Sequence, residues 1–126
     1  MQLTENFSRQ EFDCKDGTPV PERFMYNVRR LAEQLQILRD YIKQPVMITG
    51  SAYRTPEHNK KVGGASHSQH LTASGADINA RNFTPRQLAK VIEKLIKEKK
   101  MIEGGIGIYK GFLHYDIRGT KARWNG

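Results

Sequence analysis

One cysteine, one tryptophan and no apolar run longer than a few residues occur in this chain of 126 residues. The single thiol, Cys14, excludes an intramolecular disulfide and a structural zinc site built from several cysteines, so a metal would have to be held by nitrogen and oxygen ligands. No segment approaches the roughly 20 apolar residues of a membrane span, and Met1 to Asn6 lacks the basic and apolar regions of a secretory signal. The expectation is a protein synthesised in the cytoplasm without membrane insertion. Acidic residues are the scarcer charge, 13 against 21 Lys and Arg, which leaves a formal charge of +8. Such a balance favours an anionic partner: nucleic acid, an anionic membrane surface or an acidic wall polymer. With 37% hydrophobic and 27% charged residues, the chain reads as one globular domain, 1–126, with a modest core.

The order of elements follows from periodicity and punctuation. Ser8 and Glu11 form a capping box, flanked by Phe7 and Phe12 as a hydrophobic staple, so a short helix starts there. Apolar residues at Phe24, Val28, Leu31, Leu35, Leu38 and Ile42 recur in steps of four and three and predict a long amphipathic helix. Val46 to Thr49 suits a strand that stops at Gly50. From Gly50 to Gly75 the chain is polar and aperiodic, and an ordered loop of that length marks a functional site. Ala76 to Ala80 reads as a strand. Thr84, Pro85 and Gln87 then open a helix whose buried stripe is Leu88, Val91, Ile92, Leu95 and Ile96. Gly105 to Tyr109 and Phe112 to Ile117 form a hairpin around Lys110-Gly111. The sum is an α+β fold: a small, mainly antiparallel sheet with helices packed on one side.

On the last of these strands Phe112, His114, Asp116 and Arg118 share one face and Leu113, Tyr115 and Ile117 the other. His70 on the polar loop and Asp77 on the next strand add an imidazole and a carboxylate. Together with His114 they make a three-ligand set with a fourth position left for water, the arrangement of catalytic zinc.

Several blocks occur in order: Ser51-Ala52-Tyr53-Arg54-Thr55-Pro56-Glu57-His58-Asn59, then Val62-Gly63-Gly64-Ala65, Ser68-Gln69-His70, Gly75-Ala76-Asp77-Ile78, Gly107-Ile108-Tyr109 and Phe112-Leu113-His114-Tyr115-Asp116-Ile117-Arg118. With Asn6-Phe7-Ser8, Glu11-Phe12 and the closing Arg123-Trp124, this series resembles the M15 zinc peptidases, most closely the compact D-alanyl-D-alanine carboxypeptidase and phage endolysin branch. The resemblance implies a zinc cleft on the sheet, one Zn2+ per chain on His70, Asp77 and His114, and Arg54 on the substrate side. It implies hydrolysis of peptide bonds in peptidoglycan stem peptides or cross-links, with D,D or L,D specificity, by a zinc-activated water. The action expected is that of a monomer at the bacterial cell wall, reached by a route that the sequence does not specify. Asp116, two residues after His114 on the same face, is the expected catalytic base, with orientation of His114 as the rival role. Ser68 and Tyr53 are expected to help bind substrate beside Arg54, although Tyr53 also suits packing. Ala73 and Gly75 stand where the family usually has Gly and Ala, which predicts a shifted turn.

Plainer readings stand beside these. Arg54 could pair with Glu57 on the surface, His67 is loop-like and a poor ligand candidate, His58 reads as surface, and Cys14 and Trp124 as packing residues. A catalytically silent peptidoglycan-binding module would need a missing ligand, and none is missing. A basic nucleic-acid-binding domain would need a recognised motif, and none interrupts the scattered charges, so no nucleic-acid partner is expected.

Overall fold

The computed structural model describes all 126 residues. Ser8 and Glu11 close the expected box, with the Ser8 amide donating to the Glu11 carboxylate at 2.7 Å, over a single 3-10 turn at Arg9–Phe12. Helix α1, Met25–Ile42, buries Val28, Leu31, Leu35 and Leu38 along one stripe. Lys43 ends it in the left-handed conformation at φ 58°, the position at which glycine is favoured. Helix α3, Pro85–Lys97, starts from Thr84 and Gln87, each side chain accepting the other's backbone amide at 2.8 and 3.1 Å. Its buried residues are Leu88, Ala89, Ile92 and Leu95. No helix is long and apolar enough to cross a membrane.

Five strands form one sheet in the order β1, β2, β4, β3, β5: Met47–Ile48, Gly75–Asn79, Leu113–Asp116, Gly105–Ile108 and Ala122–Asn125. Every pairing is antiparallel except β3 with β5. Ala76, Tyr115 and Ile106 lie in register, as do Ile78, Leu113 and Ile108; these rows face α1 and α3 and form the core with them. The opposite face carries a different row: Asp77, His114, Gly107 and Trp124 stand side by side across four strands. Alternation along each strand thus separates an apolar helix-packed face from a chemical one.

Two elements differ from the sequence expectation. The polar stretch from Gly50 to Gly75 is not all loop, since it contains helix α2, Pro56–Lys61, and a 3-10 turn at Gln69–Thr72. Strand β5 was not expected, because its partner β3 lies beside it in parallel and nothing local to Ala122–Asn125 specifies that choice. The turn after His70 closes on Ala73, which takes the left-handed conformation at φ 58°.

Candidate metal centre

His70 begins the site. It follows Ser68, whose Oγ accepts the His70 amide at 3.2 Å and caps the 3-10 turn. The chain after β1 continues past the sheet edge, where the Asp77 amide donates to the Ser51 carbonyl at 2.8 Å. This leaves the Ala52 carbonyl 2.7 Å from His70 Nδ1. A carbonyl only accepts, so Nδ1 carries the hydrogen and Nε2 presents a lone pair. Nε2 stands 3.3 Å from Asp77 Oδ1.

His114 is fixed in the mirrored sense. Its Nε2 lies 2.7 Å from Asp116 Oδ2, and its Nδ1 lies 3.1 Å from the same Asp77 Oδ1. Asp116 is held ionised, its carboxyl well below the usual range: burial opposes this, but the Arg118 guanidinium, His114 and the Gly105 amide outweigh it. An ionised carboxylate accepts, so Nε2 donates to it and Nδ1 turns its lone pair inward. Three acceptors, His70 Nε2, Asp77 Oδ1 and His114 Nδ1, therefore converge, all three residues being buried and their ligand atoms lying within 4.8 Å of one another. Acceptors at such separations repel unless a metal cation or, in the metal-free protein, an imidazole proton lies among them, and two imidazole nitrogens with one carboxylate oxygen are a zinc-type donor set. The residues fit the metal.

Around this centre lies a cleft of about 550 Å³, lined by Arg54, His67, Ser68, Tyr109, Phe112, Arg118 and Trp124 among others. Arg54 donates from Nε to Ser51 Oγ at 2.9 Å and from Nη1 to Asn59 Oδ1 at 3.1 Å, and its Nη2 lies 3.8 Å from Asp77 Oδ2. It makes no pair with Glu57. Trp124 lies against His114 at 5.2 Å between ring centroids and donates from Nε1 to the Tyr109 hydroxyl at 2.8 Å. Gly107 lets it do so, because a Cβ there would meet the indole ring.

A family model described as Peptidase M15 matches residues 3–116. The chain belongs to that peptidase family. No curated protein and no solved structure matches it.

In this M15 peptidase His70, Asp77, His114, Arg54 and Ser68 meet at one cleft, and two expectations are corrected. Asp116 does not face the cleft as a base would: it is wholly buried, and both oxygens are taken by Gly105, Arg118 and His114. It orients His114. Tyr53 does not line the cleft: it is buried in the core against Phe24 at 6.0 Å between ring centroids.

Sequence reasoning gave no role to Arg118 or Asn59 and read Trp124 as a packing residue. Arg118 holds Asp116 through two nitrogens at 2.8 and 2.9 Å, and its place on the face of His114 was the available signal. Asn59 aims Arg54, and its signal was the Thr55-Pro56 helix start, the same cap and Pro pairing that opens α3. Trp124 and Arg118 lie beyond the span that the family model matches.

Proposed function

We propose that the chain is a zinc-dependent metallopeptidase that hydrolyses peptide bonds in the stem peptides or cross-links of peptidoglycan, with D,D or L,D specificity. The observation that carries this is the convergence of His70 Nε2, Asp77 Oδ1 and His114 Nδ1 on one point, each histidine tied from behind by an acceptor. A zinc ion held there supplies a Lewis acid that polarises the scissile carbonyl and brings the pKa of a water to about 7.

The chain's own groups complete the chemistry. Arg54, aimed by Ser51 and Asn59, offers its remaining N–H groups to a substrate carboxylate or to the oxyanion that develops on the carbonyl. Among the cleft-lining residues outside the metal set, His67 carries the one imidazole, a general acid–base group, and it is exposed to take up and return the proton of hydrolysis. Tyr109, Phe112 and Trp124 form an aromatic wall that keeps water from one side of the bound peptide. The substrate reading is supported by the resemblance to wall peptidases and by the charge of +8, which suits a polymer rich in carboxylates and phosphates. Action as a monomer at the bacterial cell wall belongs to the same proposal.

Mass spectrometry of purified peptidoglycan digested by the protein, with and without chelator, tests it. The expected result is products that gain one water per cut and vanish with chelator. Retention on the polymer without products would instead make the chain a silent binding module. His67→Ala should keep its zinc and lose about 100-fold in kcat; an unchanged kcat would remove His67 from the reaction.

A further inference from the structure

A second convergence of metal-binding side chains lies away from the cleft. Cys14 leaves the N-terminal 3-10 turn, Asp16 sits in the tight turn that follows, and His58 lies on α2. Their donor atoms, one sulfur, one oxygen and one nitrogen, come within 4.8 Å of one another. Around one tetrahedral zinc, ligand atoms stand about 3–4 Å apart, so rotamer adjustments of about 1 Å close the set. The sequence alone made Cys14 a packing residue and His58 a surface one, because nothing local links positions 14 and 58.

The surroundings are built to hold such a set. Cys14 is 3% exposed, and its sulfur lies within 4.8 Å of the Asp16 carboxylate. Oδ1 of Asp16 accepts the Thr18 amide at 2.9 Å, and Oδ2 accepts the Thr55 hydroxyl at 3.2 Å. That same Thr55 oxygen accepts the His58 amide at 3.0 Å, so one side chain positions both the carboxylate and the imidazole-bearing residue. Ligand carboxylates are commonly steadied by outer hydrogen bonds of this kind, which leave a lone pair on each oxygen. The two segments are also joined through the backbone, the Tyr53 amide donating to the Phe12 carbonyl at 3.0 Å. Cys14 is buried, Asp16 exposed and His58 half-buried, so the pocket has a solvent side by which an ion could enter.

We propose that Cys14, Asp16 and His58 form a second divalent-metal site, selective for a borderline-soft ion such as zinc, that pins the N-terminal turn to the start of α2. Thiolate, imidazole and carboxylate suit zinc or cobalt and disfavour magnesium or calcium, which take oxygen ligands. The site's consequence for the cleft is mechanical: Arg54 precedes Thr55, and Asn59, which aims Arg54, follows His58.

The test uses Co2+ added to the metal-free full chain. Cys14 is the only thiol, and the His70, Asp77 and His114 set contains no sulfur, so a thiolate-to-cobalt charge-transfer band reports the second site alone, whether or not the first is filled. The expected result is a band that saturates at one ion and is displaced by zinc but not by magnesium. Cys14→Ser should abolish it. His58→Ala, a half-buried side chain whose loss leaves the core intact, should keep the fold and weaken cobalt binding at least about tenfold. No band with cobalt in large excess would overturn the proposal, as would a band of unchanged affinity in His58→Ala, which would mean the thiol binds alone.

Discussion

Asp116 accepts the Nε2 hydrogen of His114 while four more donors, the Arg118 amide, two nitrogens of the Arg118 side chain and the Gly105 amide, occupy its other lone pairs. A carboxylate so occupied tunes a ligand and does not carry protons. Asp116→Asn should therefore weaken zinc affinity about 10- to 100-fold, because the amide puts an N–H where the Arg118 or His114 donors need an acceptor. A competing chelator measures this. A base role would instead leave affinity intact and remove rate, so kinetics at saturating zinc separates the two. Arg54 belongs to the other class of residue. Its three nitrogens are directed at Ser51, Asn59 and the region of Asp77, a division that a lysine cannot reproduce. Arg54→Lys should keep zinc and lower kcat/KM about 10- to 1000-fold on a defined stem peptide. A fall in kcat would point to the oxyanion, and a rise in KM alone to a ground-state carboxylate.

The helices and strands show which elements a sequence can announce. The long helix was legible because Val28, Leu31, Leu35 and Leu38 recur on one stripe, and α3 because Thr84, Pro85 and Gln87 spell its first turn. Helix α2 carries the same Thr and Pro start but only six residues, too few for a periodicity to show. The candidate ligands His70, Asp77 and His114 stood out as residue types in ordered blocks, and the structure brings them together. The role of Asp116 was not legible, because its burial depends on Gly75 and Gly105 from the two neighbouring strands, whose missing side chains admit the carboxylate. Lys43 supplies the prediction at this scale. A non-glycine residue in the left-handed conformation costs about 1–2 kcal/mol, part of which glycine returns as flexibility lost on folding. Since Lys43 is exposed and its side chain packs on nothing in the core, Lys43→Gly should raise stability by about 0.5–1 kcal/mol, a rise of a few degrees in Tm by calorimetry.

Over the whole molecule, stability and acidity are linked through the site. Asp77, like Asp116, is held below the ordinary carboxylate range: burial works against it, but hydrogen bonds from His114 and His70 prevail. Both folded-state values lie under the unfolded value of about 3.9, so their contribution is fully present above about pH 4 and fades as the pH falls through the folded values. His114 runs the other way. Burial lowers its pKa, yet Asp116 and Asp77 raise it overall, so its contribution is complete below about pH 6.5 and fades as pH rises through the higher folded value. Chemical denaturation of the metal-free protein should accordingly show greatest stability between about pH 4 and 6.5 from these groups. In Asp116→Asn the acid loss should be shallower.

The placement of Trp124 gives the molecule an optical reporter of its own. It is the only tryptophan in the chain, and its ring lies 5.2 Å from that of His114. Indole emission responds to the charge of a neighbouring imidazole, whereas the five tyrosines contribute at shorter wavelength. Fluorescence excited in the indole band therefore reads events at one metal ligand without any attached dye, and because β5 delivers the ring by pairing with β3, the same signal fades when that sheet edge comes away.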